Sequence, residues 1–223
     1  MAFRFRDERT RRVIVRTLAG FSAVATLSGL LTLMAFDQAP GDALAAPPQW
    51  PGSTSIERRQ NRPTLLVFVH PQCSCTGATI AELAELTALP QDIVAPGITF
   101  VAARPARDPA WGQNAWIASA SALPNARIVW DDKGGEAKTF GASTSGYALL
   151  YSQTGDLLFH GGVTGSRGHE GDNYGLAALV ASLRHPQTAH PRNSVVFGCG
   201  LSAQAPSPLS RLLSTFTARL GWT

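Results

Sequence analysis

The spacing of apolar positions changes several times along the chain, and each change predicts an element. Thr17 to Phe36 (TLAGFSAVATLSGLLTLMAF) carries no charge. Its length of about 20 residues is what a helix needs to cross roughly 30 Å of hydrocarbon. Thr64 to His70 (TLLVFVH) is a short continuous apolar run with Val and Phe, the pattern of a strand buried on both faces. From Cys75 to Leu89 the period lengthens: Ile80, Leu83, Ala84 and Leu86 recur at helical spacing until Pro90 ends the pattern. Ile98 to Ala103 (ITFVAA) is a second buried strand, so the three pieces predict a right-handed βαβ unit with parallel strands.

Further on, Asp108 to Ala122, with Trp111 and Trp116, predicts a weaker helix, Ala126 to Trp130 a third strand, and Lys133 to Phe140 a short helical piece. Tyr147 to Tyr151 and Asp156 to His160 flank Ser152-Gln153-Thr154-Gly155, a hairpin with glycine in its turn. Leu176 to Leu183 closes the pattern as an apolar helix that Asp172 or Asn173 can cap. Leu209, Leu212, Leu213, Phe216 and Leu220 share one helical face near the end, with Arg211 and Arg219 among them. The expected organisation is a basic tail (1–16), a transmembrane signal anchor (17–36), a proline-rich linker (37–61), an α/β domain (62–184) and a C-terminal extension with one amphipathic helix (185–223). No core is expected before about residue 56.

Charge changes the picture at one end. The chain has 223 residues and a formal net charge of +4, and Arg4, Arg6, Arg9, Arg11, Arg12 and Arg16 all precede the apolar stretch. The excess therefore reads as a topogenic signal retained on the cytoplasmic side rather than a nucleic-acid surface. Ala43-Leu44-Ala45 offers a small-x-small cleavage site, but the apolar stretch exceeds the usual signal-peptide core of about 7 to 15 residues. The reading is a single-pass inner-membrane protein with its C-terminal domain on the periplasmic or other extracytoplasmic side. Neither a nucleotide loop nor a dinucleotide fingerprint nor an H-E-x-x-H zinc motif occurs, so no cofactor and no dedicated metal site are expected.

Export gives weight to the three cysteines, because disulfides persist outside the cytoplasm. Cys73 and Cys75 lie where the first strand turns into the first helix, and a thiol at a helix start is favoured as thiolate. A protonated His70 would lower it further. Cysteines at i and i+2 close only a strained, easily reduced ring, which favours a reactive pair over a structural one. Cys199, the odd cysteine, suggests a third redox partner, an intermolecular bridge or a ligand; folding the tail back would let it resolve Cys73. Two thiolates at this spacing can also share a soft ion such as Cu(I), with His70 or Cys199 as third ligand. The Gly-rich loop Gly161 to Gly171, with Arg167 and His169, leads into a helix N-terminus, where backbone donors and charge can bind an anion or stabilise a thiolate.

The block from 62 to 184 resembles a thioredoxin-like domain of the membrane-anchored, exported kind, and within it the bacterial RedB-type group. FVHPQCSCTGAT, FGASTSGYALLYSQTGDLLFHGG and GGVTGSRGHEGDN carry the likeness. It implies a three-layer α/β/α fold with a mixed central sheet, whose hairpin would bring the loop Gly161 to Gly171 to the pole of Cys73, and a thiol-disulfide oxidoreductase. Cys73 would then be nucleophile and Cys75 the resolving cysteine, with a protein thiol or disulfide as partner. Two departures stand out: C-x-C replaces the usual C-x-x-C, and Gly146 stands where the superfamily places a cis-proline. Thiol peroxidase, copper-binding or metal-centre assembly protein, and non-catalytic binding module remain as alternatives.

Overall fold

A computed structural model describes residues 8–90, 93–104 and 115–201. Trp111 and the amphipathic pattern at 209–220 lie outside them. The described chain divides into two compact units, with the boundary between Ala39 and Pro40.

The first unit is one helix, α1 (Glu8–Asp37), with no buried residue. At 30 residues and with a stretch of mean hydropathy 1.7 it is long and apolar enough to cross a membrane.

The second unit is built on a six-stranded mixed sheet. Its strands are β1 (Thr64–Val69), β2 (Gly97–Ala103), β3 (Ala126–Asp131), β4 (Tyr147–Tyr151), β5 (Leu157–Gly161) and β6 (Arg192–Asn193), in the order β3-β2-β1-β4-β5-β6. β2 runs parallel to β1 and β3, β4 runs antiparallel to β1 and β5, and β6 joins β5 in parallel. The βαβ unit and the hairpin predicted from spacing are both present. β6 falls in the connector that the sequence left as loop.

Every residue of β1 is buried, and alternation along it splits the core in two. Leu65, Val67 and Val69 meet Ile80 and Leu83 of α2 (Ser74–Ala84), Trp116 and Ala120 of α3 (Ala115–Ala122), and Leu176 and Leu179 of α5 (Tyr174–Arg184). Leu66 and Phe68 face the other way, toward Phe140, Tyr147, Leu149 and Tyr151, with Ala137 of the short α4 (Gly135–Thr139). Helices thus cover both faces, giving three layers. The helical period expected through Leu89 breaks sooner: α2 stops at Ala84 and a 3₁₀ turn carries Glu85–Ala88, keeping Leu86 buried. Asn173, one of the two residues foreseen as the α5 cap, accepts from the Leu176 N–H at 2.8 Å.

The segment expected to be a spacer is packed instead. Trp50 sits edge-on to Phe140 and Tyr151 at ring distances of 5.3 and 5.2 Å, Ile56 is buried, and Tyr151 donates its hydroxyl to the Pro47 carbonyl at 2.9 Å. Backbone bonds from Leu44 to Gly141, Trp50 to Gly155 and Leu157 to Pro48 fasten the rest. The prolines make this stretch extended without making it loose: their rings remove helix as an option and leave the remaining N–H groups to find partners on the domain. The aromatic face of the sheet would otherwise lie open to water.

Candidate functional site

The turn between β1 and α2 is held from three directions. Trp116 donates its indole N–H to the Pro71 carbonyl at 2.8 Å. The His70 N–H donates to the Ser145 hydroxyl at 2.9 Å, and the Thr76 hydroxyl donates to the His70 carbonyl at 3.0 Å. Thr76 and Ser145 meet each other at 3.2 Å. Cys73 is the N-cap of α2, with φ −90° and ψ 123°, but makes no side-chain cap bond. Its sulfur is directed to other sulfurs.

The nearest of these belongs to Cys199, whose Sγ lies 3.0 Å from Cys73 Sγ. This contact spans 126 positions of sequence. It exists because residues 195–201 return along the stretch that precedes β4. The Ser145 N–H donates to the Cys199 carbonyl at 2.8 Å, the Leu201 N–H to the Ser143 carbonyl at 2.9 Å, and Thr144 and Gly200 form an antiparallel bridge. Val196 and Leu201 are buried on either side of the cysteine. Gly198 presses on the Ser145 carbonyl so closely that a Cβ would stand 1.9 Å from its oxygen.

The three thiols differ in acidity. Hydrogen bonds from Cys199 first and Cys75 second, joined by the backbone N–H groups of both, hold the Cys73 thiol far below its ordinary value, against the opposing effect of burial. Cys75 and Cys199 are pushed up, each chiefly by its hydrogen bond with Cys73 and then by burial. Of the three sulfurs, Cys73 is the one whose surroundings favour the thiolate, through its neighbouring thiols and N–H groups. It is not open to solvent, however: Cys73 is 3% exposed and Cys75 2%, while Cys199 is exposed. The segment that brings Cys199 lies against this buried sulfur.

His70 is displaced from the role foreseen for it. Its Nδ1 accepts from the Gln72 N–H at 3.2 Å, and burial lowers its pKa more than the neighbouring Cys73 charge raises it. Burial thus works against the protonated ring that the sequence reading placed beside the sulfur. Gly146 has φ +91°, a left-handed value that glycine adopts without strain, and donates its N–H to the Phe68 carbonyl at 2.8 Å. No cis peptide bond occurs among the described residues.

The loop 161–171 does reach the sulfurs, as the topology required. The Gly168 N–H donates to the Cys75 sulfur, Arg167 donates to the Gly198 carbonyl, and the Arg167 charge favours the Cys199 thiolate. His169 is exposed, with its ring beside Gly165. Glu82, which sequence reasoning passed over, fixes the loop from below. Although 2% exposed, it accepts from the Gly171 N–H and the Asn173 side-chain amide. An acid between Ile80 and Leu83 on an apolar helix face was the available signal. Ser145, Thr76 and Gly198 gave none, since small polar residues and glycines occur in any turn. Among the described residues no group of three or more His, Cys, Asp or Glu side chains is placed to hold a metal ion.

The crossover β1-α2-β2, the antiparallel β4-β5 hairpin and the closing helix together are a thioredoxin-like fold. Two solved structures share the architecture of this chain at low identity. A hypothetical protein from Sinorhizobium meliloti superposes with a TM-score of 0.52 at 16% identity, over 74% of this chain and 96% of that one. An uncharacterised conserved protein from Geobacillus kaustophilus gives 0.52 at 15%, over 75% and 94%. The thioredoxin domain of a thiol-disulfide oxidoreductase from Bacteroides vulgatus gives 0.40 at 15%, over 65% and 96%. No family model matches the chain. No curated protein matches it either.

Proposed function

We propose that the chain is a membrane-tethered thiol-disulfide oxidoreductase acting on protein thiols at the exported face, with Cys73 as its internal nucleophile. The observation that carries this reading is the acidic Cys73 thiol at the start of α2, 3.0 Å from a second sulfur. Two sulfurs this close need move only about 1 Å to reach the disulfide length of roughly 2.05 Å. The tether is α1, and the arginines before its apolar stretch support an extracytoplasmic domain. Similarity to the RedB-type group belongs to the same proposal and rests on the three stretches quoted above.

The spacing of Cys73 and Cys75 suggested that Cys75 resolves. The geometry favours Cys199 in that role, because its sulfur already approaches from across the turn, whereas a bond to Cys75 would close a small ring over the helix start. Cys75 then serves as a hydrogen-bond donor that keeps Cys73 ionised. Peroxide reduction is the weaker reading, because it calls for an open nucleophilic sulfur and Cys73 is buried.

The test is turnover of a fluorogenic peptide disulfide by the full chain in detergent micelles with a chemical reductant. Cys73→Ser should lower the rate by roughly a hundredfold or more, since serine cannot exchange disulfides. An unchanged rate in that variant overturns the reading.

A further inference from the structure

Of the three sulfurs, only that of Cys199 belongs to an exposed residue. The segment that carries it is also firmly seated. Val196 and Leu201 are sunk in the core, Gly198 lies against Ser145 with no room for a side chain, and Arg167 bonds to the Gly198 carbonyl. A cysteine displayed between two buried anchors, over the sulfur it touches, has one face toward solvent and one toward Cys73.

Resting on the oxidoreductase reading, we propose that Cys199 is the sulfur that meets partner proteins and that Cys73 exchanges electrons only through it. In the oxidised chain Cys73 and Cys199 are joined. A cysteine thiolate of a partner dithiol attacks Cys199 Sγ from the solvent side. A partner–Cys199 disulfide forms, the Cys73–Cys199 bond breaks, and its electron pair stays on Cys73 as thiolate. The partner's second thiolate then attacks the partner's own linked sulfur. This closes the partner's disulfide and releases Cys199 as a thiolate, which takes a proton from water. Two electrons have passed from the partner dithiol to the Cys73–Cys199 pair. In reverse, Cys199 opens a partner disulfide, its proton passing to the partner sulfur that leaves, and the Cys73 thiolate then attacks Cys199 Sγ, which forms the Cys73–Cys199 bond and releases the partner's other sulfur as thiolate.

Two physical features set this direction of attack. Access decides which sulfur is struck, and only Cys199 is open. The more acidic thiol leaves faster, and the Cys75 thiol and the backbone N–H groups of Cys75 and Cys199 remain to receive the charge of a departing Cys73 while Cys199 is engaged. Both point to attack at Cys199. A turn-first mechanism, with the partner bound to Cys73, would need the 195–201 strand to lift first.

The experiment uses the full chain in detergent micelles carrying Cys75→Ser, oxidised and then mixed with a short single-cysteine peptide. Acid quenching, alkylation and mass mapping locate the peptide. The proposal expects the peptide on Cys199 and the alkyl group on Cys73, by about tenfold or more over the converse. Peptide on Cys73, or an even split, overturns it. The unmodified chain supplies a second measurement. Oxidation to a Cys73–Cys199 bond supports the proposal. Oxidation to a Cys73–Cys75 bond, with turnover of the peptide disulfide retained, overturns it and leaves the oxidoreductase reading in place. Absence of all turnover overturns both.

Discussion

Two irregular segments border the thioredoxin-like domain, residues 41–57 before it and residues 195–201 after it, and both lie on the stretch that leads into β4. Asp42 accepts the hydroxyls of Ser143 and Thr144, while Cys199 and Leu201 bond to the backbone of Ser145 and Ser143. The two even touch, through the Gly41 N–H on the Val196 carbonyl at 2.8 Å. They nevertheless do different things. The first brings Trp50 and Ile56 and closes an aromatic core. The second brings a sulfur and closes a reactive turn. Seating of this kind is general packing physics, and what a seated segment does depends on the one side chain it leaves pointing at chemistry.

The comparison is broken most forcefully at Gly198. Gly198→Val places a side chain into the Ser145 carbonyl, so the 195–201 strand is forced off. Cys73 should then react with iodoacetamide roughly a hundredfold faster, because opening no longer limits access. Peptide-mapped alkylation rates check this. Trp50→Ala acts on the other segment. It removes two edge-on ring contacts and should lower unfolding stability by about 2 kcal/mol in denaturant titration, leaving the acidity of Cys73 unchanged.

Finer effects follow from single hydrogen bonds. Cys199→Ala deletes the leading donor to Cys73 and should raise its titration midpoint by about one pH unit, read from thiolate absorbance. The smallest effect concerns His70 and His160, both half-buried with pKa values lowered from 6.5 chiefly by burial. The folded chain therefore binds fewer protons than the unfolded chain as pH falls through 6.5. Stability that is complete above 6.5 is lost on acidification. Thermal melts at pH 7.5 and 5.5 should show the lower transition at 5.5, and replacing both histidines with Asn should narrow the gap.

The centre of the sheet was legible because β1 and β2 are buried on both faces and are almost wholly apolar, with Thr64 and Thr99 as the exceptions. The position of Cys73 was legible for a related reason: a strand followed at once by a helical period defines the turn between them. The long-range pairing of Cys199 with Cys73 stood only as one option among several. Nothing near Cys199 announces a partner 126 residues away, and Pro47, Pro48 and Pro51 look the same in a tether as in a seated strap. His70 shows the same limit at short range, because whether a ring beside a thiol is charged depends on which atoms surround it.

The vanishing clearance above Ser145 also supplies a rule for sorting other sequences. Chains that share a C-x-C turn but carry any residue larger than glycine just before their distal cysteine have no means of drawing that cysteine over the turn. Such chains would meet their targets directly at the first sulfur, so a single small position separates a shielded redox design from an open one.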